Sequence, residues 1–322
     1  MRRRIPAHAS DRARRRRSGW TRIELLTAAA TLGLLMILLL PPLVAARERA
    51  RQTASVDHLR QIGEGFLAHV ETYGVLPSNG GLLAETVTTP DIRTINANDD
   101  PYRWGYGDPR RAGRMQPGSW AFALLPFIGH EKDFQSRNQA VAVECYYIPA
   151  RRPAKPEVAI DEDLVYLGWG CMNDGVNPWG KTDYAGNDQI IRNGVGRGQP
   201  LADITDGLAC SILSGEKAMD TRAIGKGGWY WDEPLILGGN GGVGRKGNRL
   251  LRDGPILEDA ADNWGSPYEE GVSFLFADGS ARTLDYSASP DILSRLIQPR
   301  DGGSLPERWW DVPAAPAAGA AP

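Results

Sequence analysis

The chain has 322 residues, 42% of them hydrophobic and 24% charged, with a net charge of −2. That is a globular composition, enough for one large domain or two small ones around a buried core. The near-neutral total hides a split: residues 1–19 hold eight Arg and one acid, Asp11, leaving 29 basic against 38 acidic residues beyond them. A folded part at −9 repels phosphate, so the basic block is a topogenic feature and nucleic acid is excluded as a partner.

From Ile23 to Ala46 the only charge is Glu24. As a helix this apolar run crosses roughly 30 Å of hydrocarbon. Arg14 to Arg17 stand just before it, so the positive-inside rule predicts a single-pass inner-membrane protein. Its N-terminus is expected in the cytoplasm, and the rest in the periplasm or on the cell surface. A plain anchor fits this pattern. So does a secretory signal, because Val44-Ala45-Ala46 is a small-residue cleavage site.

A third reading rests on Ser18-Gly19-Trp20-Thr21-Arg22-Ile23-Glu24-Leu25-Leu26. This stretch resembles the prepilin signature: a basic leader ends in Gly (Gly19), an aromatic residue (Trp20) begins the mature chain, and Glu (Glu24) stands fifth. Arg22 stands where Leu is usual, and Pro41 falls where type IV pilins often bend their helix. A carboxylate so close to a bilayer core is costly and marks a functional hypothesis. The resemblance implies that a prepilin peptidase cuts after Gly19, that Trp20 is N-methylated, and that Glu24 pairs with the N-terminal amine of a neighbouring pilin-like subunit.

Beyond the apolar run, Leu59, Ile62, Phe66, Val70 and Tyr73 recur at steps of three and four, with Asp57, Arg60, Gln61, Glu64 and Glu71 between them. This predicts an amphipathic spine helix that stops at Gly74 and Pro77. Gly63 and Gly65 count against it at about 1 kcal/mol each relative to Ala. Residues 78–117 read as loop. Ser119 to Ile128 (SWAFALLPFI) reads as a short buried helix or strand. Strands are expected at Val141–Ile148, Leu164–Trp169, Cys210–Ser214, Gly225–Trp231 and Ser273–Phe276. Gly238 to Gly247 lacks any nucleotide-binding pattern and reads as a flexible loop. Asp291 to Ile297 is expected to be a last short helix, and a Pro/Ala-rich tail to be disordered.

Several of these segments resemble a bacterial family of pseudopilin-like proteins of unknown function, abundant in planctomycetes, that ends in an H-x9-DG motif. The segments are LLPPLVAARERARQTASVDHLRQIG (Leu39 to Gly63), TYGVLP (Thr72 to Pro77), SWAFALLPFI, DYAGN (Asp183 to Asn187), ITDGLACSILSGEKA (Ile204 to Ala218) and YEEGVSFLFADGS (Tyr268 to Ser280). Asp278 and Gly279 fill the motif's last two positions; Tyr268 stands in place of its His, and Ser55 where Cys is frequent. The resemblance implies an α+β, pilin-like fold: a long N-terminal transmembrane and amphipathic helix packed on an antiparallel sheet, with an elaborated extracellular head. The corresponding division is a leader (1–19), a transmembrane helix (20–46), a spine (47–74), a head (75–304) and a tail (305–322).

Little in the head carries chemistry. Asp278-Gly279 after Phe274 and Phe276 reads as a hairpin turn. Glu216-Lys217 reads as a solvated pair or a salt bridge. His8 lies in the leader and His58 and His69 on the spine, leaving His130 alone in the head, so no Ser-His-Asp order can be drawn there. Cys145, Cys171 and Cys210 lack zinc-site spacing, and one disulfide among them stays open. Asn173, Asp174, Asn177, Asp183, Asn187 and Asp188 offer oxygen ligands without an EF-hand order; no metal or other cofactor is expected, and calcium is the one retained candidate. Trp229 and Trp231 alternate on one predicted strand face and are expected to be core aromatics. No catalytic residue and no enzymatic activity is expected. The leading expectation is a structural subunit of a type II secretion or type IV pilus-like assembly. The alternative is a cell-surface module binding a glycan or protein; a surface hydrolase is the weakest reading.

Overall fold

A computed structural model describes residues 21–81, 105–158, 178–222, 224, 232, 234–239, 241–255, 262–303, 305 and 309. The chain divides into two units, Met1–Arg47 and Glu48–Pro322. One helix, α1 (Arg22–Tyr73, 52 residues), contributes to both.

Within the first unit Arg22 to Arg47 are helical, and the side chains described there are exposed. This is the one helix among the described residues whose length and apolar composition suffice to cross a membrane, a test that an anchor and a signal sequence both pass. Its start is a capping box. Thr21 N donates to Glu24 Oε2 (2.8 Å), and Glu24 N donates back to Thr21 Oγ1 (3.2 Å). The Glu24 carboxylate therefore satisfies the backbone N–H of the cap residue Thr21, and its charge lies at the favourable end of the dipole.

In the second unit, α1 is amphipathic. Ser55, Leu59, Ile62, Phe66 and His69 are buried, while Asp57, Arg60, Gln61 and Glu64 are exposed. Val70 is half-buried and Tyr73 exposed, so the apolar stripe fades over the last turn. Gly74 ends the helix at φ 73°, its N–H donating to Val70 O at 2.7 Å. The two glycines that weaken helix propensity are explained by close packing. A Cβ at Gly63 would stand 2.8 Å from Leu275 Cδ1, and one at Gly65 2.8 Å from Ile128 Cγ2.

The sheet that receives the spine has five strands: β1 (Tyr184–Asn187), β2 (Ile212–Glu216), β3 (Gly244–Arg245), β4 (Val272–Phe276) and β5 (Ala281–Leu284). Their order is β5-β4-β2-β1-β3, antiparallel except for the parallel β1–β3 edge. Alternation along β4 sets the two faces. Leu275 joins the core formed with Leu59, Ile62, Phe66 and Trp120. Val272, Phe274 and Phe276 face a second core formed with helix residues Ile292, Leu293, Leu296 and Ile297 (from Pro290–Ile297) and with Trp309. Trp309 and half-buried Leu305 thus carry packing into the stretch expected to be tail. At the β2–β4 crossing a Cβ on Gly215 would lie 2.4 Å from Phe274 Cδ1, so only glycine fits there.

Of the helix or strand expected in SWAFALLPFI the helix is present, as Trp120–Ala123 followed by a 3-10 turn at Leu125–Ile128, with Ser119 accepting from Phe122 N at the cap. The strand expected at Ser273–Phe276 is β4. The one expected at Cys210–Ser214 begins at Ile212, after a 3-10 turn at Leu208–Cys210. Val141–Ile148 is not a strand. It is irregular around a 3-10 turn at Glu144–Tyr146, because its backbone is satisfied locally and by Asp183, whose Oδ2 accepts from Ile148 N at 2.9 Å. Gly238 to Gly247 is not a free loop either. Leu237–Gly238 pairs with Gly105–Tyr106, and Gly244–Arg245 is β3. Its glycines permit close approach, a Cβ on Gly238 falling 2.4 Å from Pro117 O. The strands expected at Leu164–Trp169 and Gly225–Trp231 lie outside the described residues, as do Gly19, Trp20 and Cys171.

Candidate functional site

Two of the three residues assigned to the C-terminal motif form a turn, and the third sits apart from them. Between β4 and β5, Gly279 N donates to Phe276 O (2.9 Å) and Phe276 N to Ser280 O (2.8 Å). Asp278 Oδ1 accepts from Ser280 N (2.9 Å) and Ser280 Oγ (2.6 Å), and Gly279 adopts φ 84°. The turn reading of the sequence therefore describes this site, and the side chain of Asp278 stabilises its own loop. A Cβ on Gly279 would also stand 3.3 Å from Leu67 Cδ1 of the spine. Gly279→Ala is expected to destabilise by about 1 kcal/mol from the positive φ alone. For a unit of this size that lowers the thermal midpoint by about 2–4 °C; an unchanged midpoint would refute the strain argument.

Tyr268 lies in the seam between spine and sheet. It is fully buried, and its hydroxyl donates to Arg51 O at 2.8 Å. One turn along α1, Ser55 Oγ donates to Glu216 Oε1 (2.6 Å) and lies 2.8 Å from Tyr184 Oη. The other oxygen of Glu216 accepts from Ser273 N at 2.9 Å, so the carboxyl bridges α1, β2 and β4. Ser55, Tyr184, Glu216 and Tyr268 are all at 0% exposure. Burial pushes the Glu216 carboxyl up to about 7, against the hydrogen bonds of Ser273 and Ser55 and the charge of Arg151. Closed to solvent, Ser55, Tyr184 and Glu216 bonded to one another and Tyr268 bonded to the α1 backbone hold the spine on the sheet.

Next to this seam lies a buried ionic network that sequence reading did not find. Four cations, Arg151, Arg152, Lys181 and Lys217, face four carboxylates, Glu157, Asp183, Asp232 and Asp253. Arg152 forks onto Asp232 (2.8 and 2.9 Å) and reaches Asp183 at 2.7 Å. Arg151 Nε donates to Asp253 at 2.8 Å, and Lys217 Nζ to Asp232 Oδ1 at 3.0 Å. Burial would raise Asp232, but Arg152, Lys217 and Lys181 hold it far below the usual carboxylate range. The Glu216-Lys217 pair is thus neither solvated nor a mutual ion pair: each side chain has its own buried partner.

The histidines are similarly committed. His58 Nδ1 lies 2.9 Å from Tyr147 O, His69 Nδ1 2.8 Å from Val75 O, and His130 Nδ1 2.9 Å from Asp133 Oδ2. Burial holds His69 down at about 4. Among the described residues no group of three or more His, Cys, Asp or Glu is placed to hold a metal ion. Of the oxygen ligands considered for calcium, Asp183 is taken by the ionic network, and Asn187 Nδ2 donates to Ile212 O and Ile297 O. Asp188 is half-buried, and desolvation raises its carboxyl to about 7 against the charge of Arg245; Asn173, Asp174 and Asn177 lie outside the described residues. Cys145 and Cys210 are not joined to one another. Trp120, Trp179 and Trp264 are core residues, while Trp229 and Trp231 lie outside the described residues.

Residues 44–143 match the profile of a family described as "Protein of unknown function (DUF1559)". The match spans the second half of α1 and the segment that packs Trp120 and Phe122 beneath it. No curated protein and no solved structure matches the chain.

Proposed function

We propose that the chain is a membrane-anchored, pilin-like surface protein and a structural subunit of a type II secretion or type IV pilus-like assembly. The observation that carries this reading is the single helix Arg22–Tyr73. From Ile23 to Ala46 it is apolar apart from Glu24, with the described side chains exposed, and beyond Glu48 it is bolted to a sheet by buried polar and apolar contacts. A pilin-like subunit needs both properties in one rod: an apolar half available to a bilayer or to neighbouring helices, and a half that carries the head. In this reading prepilin peptidase cleaves between Gly19 and Trp20, Glu24 pairs with a neighbouring subunit's amine, the head lies outside the inner membrane, and the head performs no catalysis. Packing between subunits is heterologous, as a filament requires.

The mature N-terminus tests the reading first. Mass spectrometry of membrane-extracted protein is expected to find a chain starting at Trp20, N-methylated. A start at Arg47 would mean a signal peptide, and an intact Met1 a plain anchor; either result overturns the proposal. Given that start, Glu24→Ala is expected to abolish co-purification with other pilin-like subunits while export continues. Because Glu24 is also a capping-box residue, Glu24→Gln is the companion variant: it preserves the cap and removes the charge.

A further inference from the structure

An arginine cluster at the far end of the spine contrasts with the acidic balance of the folded chain. Arg110, Arg111 and Arg114 lie on the turn around the 3-10 helix Gly113–Met115. That turn abuts the Asn193–Gly198 loop: Gly196 N donates to Arg114 O at 2.6 Å, and a Cβ on Gly198 would touch Arg114 Cγ at 3.4 Å. The loop carries Arg197, exposed like Arg114, with exposed Arg192 just before it. Arg137 borders the same turn, donating from Nε to Gly107 O (3.0 Å) with its guanidinium over the Tyr106 ring (4.6 Å). Among the described residues the carboxylate that meets this cluster is Asp108, which binds Arg110 at 2.9 Å and Arg111 at 3.8 Å. Even so, the Arg110 side chain stays 84% exposed.

Two apolar side chains lie at the edge of this cluster. Tyr73 is 42% and Met115 46% exposed, and a Cβ on Gly113 would sit 3.2 Å from the Tyr73 ring. The cluster is therefore a set of guanidinium forks beside an accessible aromatic ring. It lies roughly 39 Å along the helix from Glu48, at 1.5 Å per residue.

We infer that this face binds an acidic polysaccharide, its carboxylates held by Arg114 and Arg197 and a sugar ring stacked at Tyr73. Guanidinium matches carboxylate geometry in two parallel hydrogen bonds. An exposed Tyr offers an apolar face with a polar tip to a sugar's C–H surface. Duplex nucleic acid fits less well: it carries one charge per about 1.7 Å of its axis, a field that a folded part at −9 opposes more strongly than the sparser charge of a chain with one carboxylate per sugar. The inference stands independently of the assembly reading, because the cluster lies wholly in the second unit and uses neither Glu24 nor the apolar helix.

The test is binding of the full chain, in non-ionic detergent, to polygalacturonate, with neutral dextran, duplex DNA and phosphatidylglycerol vesicles in parallel. The expected result is salt-sensitive binding to polygalacturonate and none to dextran. Arg114→Glu with Arg197→Glu should weaken it at least about tenfold, equivalent to 1.4 kcal/mol. Arg114→Lys with Arg197→Lys should lose part of that through the missing fork, and Arg252→Glu, outside the cluster, should lose nothing. Equal thermal midpoints would confirm that the variants fold. Absent binding, or binding indifferent to the double variant, overturns the inference. Equally tight binding of DNA or vesicles through the same arginines overturns it too, reassigning the face to phosphate polyanions.

Discussion

Asp232→Ala is expected to be the most damaging single change in the second unit, costing about 3–5 kcal/mol. The carboxylate it removes is fully buried and receives two hydrogen bonds from Arg152 and one from Lys217. Without it Arg152 keeps Asp183 and Glu157. Lys217 keeps only the carbonyl of Gly242 among the bonds described, at 2.9 Å. An unpaired ammonium at 0% exposure is the expensive product. Burial already pushes Lys217 downward, so part of the cost is relieved by its losing a proton. Lys217→Met should therefore be milder than Asp232→Ala, because Asp232 retains its Arg152 fork. The double variant should be less damaged than the sum of the two, since removing both partners leaves nothing unpaired. Denaturant unfolding of the four proteins checks this; a loss below about 1 kcal/mol for Asp232→Ala would show that the network is internally redundant.

That network also marks where sequence reading stops. Arg151 and Arg152, Asp183, Lys217, Asp232 and Asp253 belong to five separate segments, and each looks like an ordinary loop charge in its own neighbourhood. Only long-range folding brings them together, and no spacing rule encodes that. The spine helix was legible because its apolar period is local and because Gly74 and Pro77 punctuate it. The β4 turn was legible for the same reason, with Asp278-Gly279 following alternating apolar residues. Val141–Ile148 misled because β-branched and aromatic residues signal burial as strongly as strand. Tyr146 and Tyr147 are buried in the core that the spine joins, on a segment that forms a 3-10 turn. The glycines misled in the opposite sense. Gly63, Gly65, Gly238 and Gly244 suggest flexibility in a sequence, yet each stands where a Cβ would meet another atom within 3 Å. Tyr268 and Ser55 were noticed as departures from a motif, and their shared position in the spine–sheet seam became apparent only in three dimensions.

The seam yields the second large expected effect, a stability that falls as pH rises. Glu216 is fully buried and raised from 4.5 to about 7. A carboxyl raised in the folded state contributes fully below its unfolded value, near 4.5. That contribution is lost as pH climbs through its folded value, near 7. The full shift corresponds to roughly 3 kcal/mol at 1.36 kcal/mol per unit. The groups facing Glu216 are Ser55 from α1, Tyr184 from β1 and Ser273 from β4. Ser266, Tyr268, Tyr286 and Arg151 complete them. Arg151 is the one cation among them and already serves Asp253. The hydrogen-bond chain accommodates both protonation states. With the carboxylate, Tyr184 donates to Ser55 and Ser55 to Glu216. With the acid the order reverses, and the Tyr184 hydroxyl turns to the Ser55 carbonyl, 3.2 Å away. Desolvation therefore decides the titration, and Glu216→Gln should remove it while keeping the bridge. The variant is expected to lose less stability between pH 5 and pH 8 than the parent, by roughly 3 kcal/mol. Asp188, also raised to about 7, contributes equally to both proteins and cancels in the comparison. Amide exchange locates the effect: as pH rises from about 5 to about 7, protection of α1 beyond Glu48, corrected for the intrinsic exchange rate, should drop in the parent and hold in the variant. Parallel pH profiles would mean that the seam is not where the proton is released.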